Sequence, residues 1–219
     1  GLFRALNLLQ SVEADNGTDL EAILSASMGQ EAEFGAMLST RHMARRMAGN
    51  AVTMSAITSS ETAIRTVFVQ TSVYNFRPIE EVAKHQSAML GVSTNLASLN
   101  AVINNTVAFG YFTASPHYET YIINILTTLI GKDPANFANM TELIEDADSM
   151  LDISLSMMAM KALVMSTIAM TIVVANSNAM ANIGADTVAM TITANNNASM
   201  VLIANSQTAL DEITDEART

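Results

Sequence analysis

Three histidines and a run of carboxylates are the side chains of this sequence best suited to metal or proton chemistry. His42, His85 and His117 stand far apart in the chain. A zinc site needs converging ligands, and no histidine pair lies one helical turn apart with an acid between. The acids Glu142, Glu145, Asp146 and Asp148 cluster after Pro134 and have the oxygens a hard cation would take. The glycine and alternating acids of a calcium loop are missing, so a solvated helix face is the expectation. Arg41, Arg45 and Arg46 form the basic cluster, at helical spacing. In a chain of net charge −11 they suit a salt-bridged contact between segments or subunits better than nucleic acid. The chain shows no glycine-rich phosphate loop, nucleophile elbow or supported carboxylate pair. Asn16-Gly-Thr18, Asn104-Asn-Thr106, Asn139-Met-Thr141 and Asn197-Ala-Ser199 match a glycosylation acceptor, but Asn and Thr are common enough here for chance to suffice. The expectation is a protein that is not an enzyme and uses no cofactor or metal.

Composition turns attention from chemistry to architecture. Half of the 219 residues are hydrophobic and 14% are charged, with 16 Met and no Cys or Trp; mean hydropathy is +0.28. A disordered chain has the opposite balance, and without cysteine there is no disulfide framework. Few aromatics and much Ala, Met, Asn, Ser and Thr predict narrow packing layers in an elongated chain. The opening at Gly1 points to a processed product or a piece of a longer protein, and no signal peptide is legible. Residues 1–35 hold one Arg against six acids, whereas 36–77 hold five Arg against Glu61. The acidic segment is therefore expected to dock on Arg41, Arg45 and Arg46 of its own or a neighbouring chain.

A ten-residue period organises the rest. Asn139-Met140, Ser149-Met150, Ala159-Met160, Ala169-Met170, Ala179-Met180, Ala189-Met190, Ser199-Met200 and Ala209-Leu210 recur in register. The spacing returns in Ala36-Met37, Arg46-Met47, Ala56-Ile57 and Thr66-Val67, and in Ala88-Met89, Ser98-Leu99 and Ala108-Phe109. The resulting division is an acidic attachment segment 1–35, a first decad run 36–67, an insert 68–87, a second run 88–109, an insert 110–138, a third run 139–213 and a polar tail 214–219. The inserts read as lobes or corners.

In the third run an apolar residue follows three after the Met position, as at Ile153, Leu163, Val173, Ile183 and Ile203. That 3-4-3 seam keeps one helix face apolar, and Ala, Met and Leu are strong helix formers. The fold class predicted is mostly α: an elongated helical rod with decad repeats and small inserted lobes. Ten residues over three turns is about 3.3 per turn against 3.6, so a continuous coiled coil would be overwound. Short helices capped by the Ser and Asn at each junction would relieve this. Ten is also even, so an intertwined trimeric β-rod is the alternative. A lone rod cannot bury its stripe, which needs facing stripes from other chains or from other runs of its own chain. Met140, Met150, Met160, Met170, Met180, Met190, Met200 and Leu210 are therefore the expected self-association residues, in a homotrimer. The Thr, Ser, Asn and Gln seven places after the Met position either form polar layers on that axis or face solvent.

The phrases Ala169-Met-Thr-Ile-Val-Val-Ala-Asn-Ser and Ser199-Met-Val-Leu-Ile-Ala-Asn-Ser resemble the Ala-Met-x-x-Val-Ala-x-Ser decapeptide arrays of tail-fibre and related virion structural proteins of tailed bacteriophages. The resemblance covers about 160–210 well and the two earlier runs loosely. It implies a virion location and a trimeric fibre, collar or tail-associated part that contacts other virion proteins, without enzyme activity or cofactor. Two rivals stand beside it. One is a membrane-inserting protein using 157–175, where Lys161 is the lone charge; against it, the decad register runs through unchanged into the Asn-rich 176–206. The other is a cellular coiled-coil scaffold.

Overall fold

The computed structural model describes residues 40–69 and 77–216. The acidic segment 1–35 and its docking lie outside the described residues, as do the start of the first run, 70–76 of the first insert and the last three residues of the tail. Among the described residues the chain is mostly helical and forms no strand, so the helical reading holds and the β-rod does not. The chain divides between Tyr118 and Glu119 into two compact units. In the first lie α1 (Arg41–Ala48), α2 (Ala51–Ser59), α3 (Glu61–Ile64, running into a π turn at Arg65–Val69), α4 (Ile79–Val82), α5 (Gln86–Ser93), α6 (Leu96–Ile103) and α7 (Thr106–Thr113). In the second lie α8 (Ile122–Leu129), α9 (Met140–Glu145), α10 (Ala147–Leu155), α11 (Met157–Leu163), α12 (Thr167–Val173), α13 (Ser177–Ala185), α14 (Thr187–Ala194), α15 (Asn197–Ala204) and α16 (Gln207–Glu216).

The decad is a short helix plus a corner. At each junction one residue leaves the helical region: Ser156, Ser166, Asn176, Asp186 and Asn196 have φ between −94° and −110° and ψ between 106° and 116°. Each also accepts a hydrogen bond through its side chain from the amide three residues on, at Ala159, Ala169, Ala179, Ala189 and Ser199. That bond satisfies one of the amides a helix start leaves without a partner. The preceding helix closes by tightening: Met165 N–H donates to Ala162 O and Ser166 N–H to Leu163 O, a pattern repeated at Ala175 and Asn176. Consecutive helices consequently bend sharply, by 98° between α12 and α13. The overwinding inherent in a ten-residue period disappears, because one to three residues of each decad lie outside the helix.

Repeated corners bring the chain back over itself every third helix. In the second unit α8 packs on α11 and α11 on α14; α9 packs on α12 and α12 on α15; α10 packs on α13 and α13 on α16. Three layers of three helices result. Numbering from the cap residue, the third position is small and inside: Ala159, Ala169, Ala179, Ala189 and Ala209 are fully buried and Ser199 nearly so. A larger side chain there would have to displace the neighbours that bury it. The seventh position fills the centre with Ile153, Leu163, Val173, Ile183 and Ile203. Serine hydroxyls tie layers together, Ser199 Oγ donating to Val164 O at 3.1 Å and Ser206 Oγ to Val174 O at 2.5 Å.

The first unit uses the same plan, with α1 on α4, α2 on α5, α3 on α6 and α4 on α7. Its caps at Asn50, Asn95 and Asn105 accept from Thr53, Ser98 and Ala108. The pairs Arg46-Met47 and Ala56-Ile57 occupy the sixth and seventh positions after the cap, whereas Ala159-Met160 and its kin occupy the third and fourth. One period thus appears in two phases. The inserts stay partly in line with the stack, since α8, from the second insert, seats beneath α11 as a decad helix would. Gly131, at φ 71°, ends α8 in the left-handed conformation, and Lys132 N–H then closes back on Thr127 O at 2.8 Å. This terminator turns the chain toward Asp133 and the 3-10 turn Pro134–Asn136.

The caps and the small third position give graded expectations. Asn176→Ala is expected to cost about 1 kcal/mol and Asn176→Gly only a few tenths, while Ala179→Leu, forced into a filled layer, costs roughly 1–3 kcal/mol. Urea denaturation followed by circular dichroism checks the order of the three.

Candidate interaction surfaces

The Met ladder is mostly interior to its own chain. Met150, Met160, Met170 and Met180 are at most 1% exposed and Met140 is 5% exposed. From Met150 onward each sits at the fourth position after its cap, where the next layer covers it; Met140, at the first position of α9, departs from the register. The stripe therefore meets later helices of its own run, and Met140, Met150, Met160, Met170 and Met180 are not available to a partner subunit. This corrects their assignment to self-association and removes the packing argument for a trimer. The end of the ladder differs. Met190 is half-buried, Met200 is 39% exposed and Leu210 is 41% exposed. The residues seven places after the Met positions, Thr167, Ser177, Thr187, Asn197 and Gln207, open their helices and are exposed. They face solvent and form no polar layers.

Between the second and third layers of the same unit lies a cleft of about 330 Å³, lined by Val164, Met165, Met170, Val201 and Leu202, with Asn196 and Ser199 beside them. Ala198 helps open it, since the equivalent position carries Ile168 and Val188 in neighbouring repeats. Asn196 Nδ2 donates to Met165 Sδ at 3.4 Å. No titratable side chain lines the cleft.

The arginine cluster meets acids, though different ones from those expected. Arg41 bridges Glu80 at 3.1 Å and Glu81 at 3.3 Å, Arg45 reaches Glu81 at 3.3 Å, and Lys84 reaches it at 2.9 Å. Glu81 is 1% exposed, whereas the three cations remain about half exposed. Burial pushes the Glu81 carboxyl up, but the hydrogen bonds and charges of Lys84 and Arg45 outweigh this and hold it below the ordinary carboxylate value. The cluster thus clamps α4 onto α1. Arg46 is exposed on the same helix. Glu80 and Glu81 escaped sequence reasoning because they sit in the insert, where the decad register that might have placed them opposite α1 is broken.

The second unit has two polar knots. Glu119 accepts from Ser166 Oγ at 2.5 Å and from Thr167 N–H at 2.8 Å, reinforcing the start of α12. Lys132 Nζ donates to Ser149 Oγ at 2.9 Å and pairs with Asp146 at 3.3 Å and Asp152 at 3.6 Å. Asp146 is held below its ordinary value, first by the hydrogen bonds of the Ser149 hydroxyl and amide and then by Lys132. The acidic run therefore works at helix starts: Asp146 caps α10, and Glu142 accepts from Ala138 N–H at 2.8 Å. Glu142, Glu145, Asp146 and Asp148 are all exposed. No group of three or more acids or histidines able to hold a metal occurs among the described residues. His42 is exposed, and His85 and His117 are half-buried on separate stretches of chain.

Segment 157–175 is divided by the Ser166 corner into α11 and α12. No single described helix is long and apolar enough to cross a membrane; α12 and α13 pass that test only as a pair bent by 98°. Among the described residues the same corners leave no long continuous helix for a coiled-coil seam. No family model, curated protein or solved structure matches the chain.

Two expectations follow from these placements. Met170→Ala, which opens a cavity between layers, is expected to lower unfolding free energy by roughly 2–4 kcal/mol, against under about 1 kcal/mol for Met200→Ala. Chemical denaturation of both variants in dilute solution provides the comparison. Glu81→Gln is expected to cost roughly 1–3 kcal/mol. Because the folded Glu81 carboxyl titrates below its unfolded value, its stabilisation is complete above the unfolded value and drains as pH falls through the lowered one. The variant should accordingly show a flatter acid limb in a stability-versus-pH series.

Proposed function

We propose that this chain is a non-enzymatic structural subunit of a tailed-bacteriophage virion, in a tail fibre, collar or tail-associated assembly, where it meets copies of itself and other virion proteins. The observation that carries the reading is how the decad is used. Cap, small third position, Met or Leu at the fourth and aliphatic residue at the seventh all serve corners and layers, so the repeat specifies a stack of defined rise. A spacer or mounting element is what such a stack is suited to be. Similarity of the Ala-Met decads to virion arrays supports the particle context. From Thr167 onward the exposed first positions of the third run, Thr167, Ser177, Thr187, Asn197 and Gln207, are polar, which suits a surface bathed in solvent.

Peptide mass spectrometry of density-purified particles from the source, set against the membrane and soluble fractions, tests this. The proposal expects the chain's peptides to co-sediment with particles at structural copy number. Recovery with membranes, or in the soluble fraction alone, would overturn it.

A further inference from the structure

The methionines of the second unit fall into two chemical groups. Met150, Met160, Met170 and Met180 are at most 1% exposed, whereas Met157, Met165 and Met200 are 49%, 40% and 39% exposed. Peroxides convert an accessible thioether into a polar sulfoxide, a change that disrupts a packed contact when it happens inside one. Burial keeps the interior ladder out of that reaction.

Met165 stands apart from the other exposed methionines because a donor already faces its sulfur. It lies at the corner between α11 and α12, in the second layer, and its Sδ accepts a hydrogen bond at 3.4 Å from Nδ2 of Asn196, the cap of α15 in the third layer. The donor's direction is fixed. Asn196 Oδ1 accepts from the Ser199 amide at 2.9 Å to cap the helix, which turns the NH2 end of the same carboxamide toward Met165. A thioether is a weak acceptor. The cleft of about 330 Å³ that Met165 helps to line leaves room for one more atom on the sulfur.

We propose that Met165 is a peroxide-modification site whose sulfoxide is captured by Asn196, so that oxidation tightens the contact between the second and third layers. A sulfur lone pair attacks one oxygen of hydrogen peroxide, and the S–O bond forms as the O–O bond breaks. The proton on the transferred oxygen passes to the departing hydroxide, which leaves as water; sulfur is oxidised and the peroxide reduced. The N–H that met a thioether then meets a strongly polar oxygen, which the rotatable methionine side chain can bring into line. An existing tie gains a second strand, since Ser199 Oγ already donates to Val164 O at 3.1 Å between the same two stretches.

The virion reading is not a premise of this proposal. The full chain with Met28→Leu, Met37→Leu, Met157→Leu, Met158→Leu, Met190→Leu and Met200→Leu, swaps of similar volume, keeps Met165 as the exposed methionine among the described residues. Dilute hydrogen peroxide is expected to add one oxygen, placed on Met165 by peptide mass spectrometry, with Met160 and Met170 left reduced. The oxidised chain should then unfold at a higher urea midpoint than the reduced one, and the Asn196 side-chain amide proton signal should move downfield. In the same background Asn196→Asp retains a capping oxygen, as Asp186 provides for α14 at 2.8 Å, but has no N–H to offer. There the rise should be lost or reversed. A Met165 that stays reduced, oxidation that reaches Met160 or Met170 first, no rise with Asn196 in place, an unmoved Asn196 signal, or an undiminished rise in the Asn196→Asp chain would each overturn the proposal.

Discussion

Every corner in this chain starts a new helix, and every helix start leaves backbone amides that the helix itself cannot satisfy. With helices of seven to ten residues through most of the second unit, that demand recurs at a frequency few folds tolerate. The answer is local and repeated. An Ser, Asn or Asp in extended conformation accepts from the amide three residues on, and the preceding helix closes with a tightened turn. Where one side chain is insufficient a distant group assists, as Glu119 does at Thr167. Without these caps the chain would have no reason to turn where it does.

Once corners recur at a fixed interval, packing follows from length. Helices this short bury little surface individually, so each leans on the third before and the third after it. The buried third position is Ala or Ser from Ser149 to Ala209, while Met at the fourth position packs between layers without demanding one shape. Aromatics return where the register breaks: Phe112 and Tyr118 meet edge to face, with ring centres 5.5 Å apart, close to the end of the first unit. The charged clamp of Glu81 with Arg41, Arg45 and Lys84 also lies at an insert, adding ion pairs to the packing of α4 on α1.

Much of this was legible before any coordinates. Period, helical character and capping residues could all be read from Ser156, Ser166, Asn176 and their Ala-Met followers. Two matters were not. An apolar stripe recurring every ten residues has the same appearance whether its partner is another chain or the same chain three helices later; only the bend at each cap decides. Met160 and Met170 therefore looked intermolecular and are interior. Pairing across a broken register was equally invisible, because nothing in the spacing relates Glu81 to Arg41 or Glu119 to Ser166. The exposed end of the ladder at Met200 and Leu210 was hidden for the opposite reason, since its residues are indistinguishable by type from the covered ones.

A stack whose repeat supplies corner, core and inter-layer contact is a structural element first, and the role proposed for it depends on those layers existing within one chain. The most direct test uses the absence of cysteine. Spin labels at Thr171→Cys and Val201→Cys sit on exposed sites of α12 and α15, one layer apart, and dilution with unlabelled protein leaves only distances within a chain. Layering places the two helix axes about 8–10 Å apart, which should broaden the continuous-wave spectrum strongly. A continuous helix would separate the sites by about 45 Å, and an unbroadened spectrum would contradict the layered account.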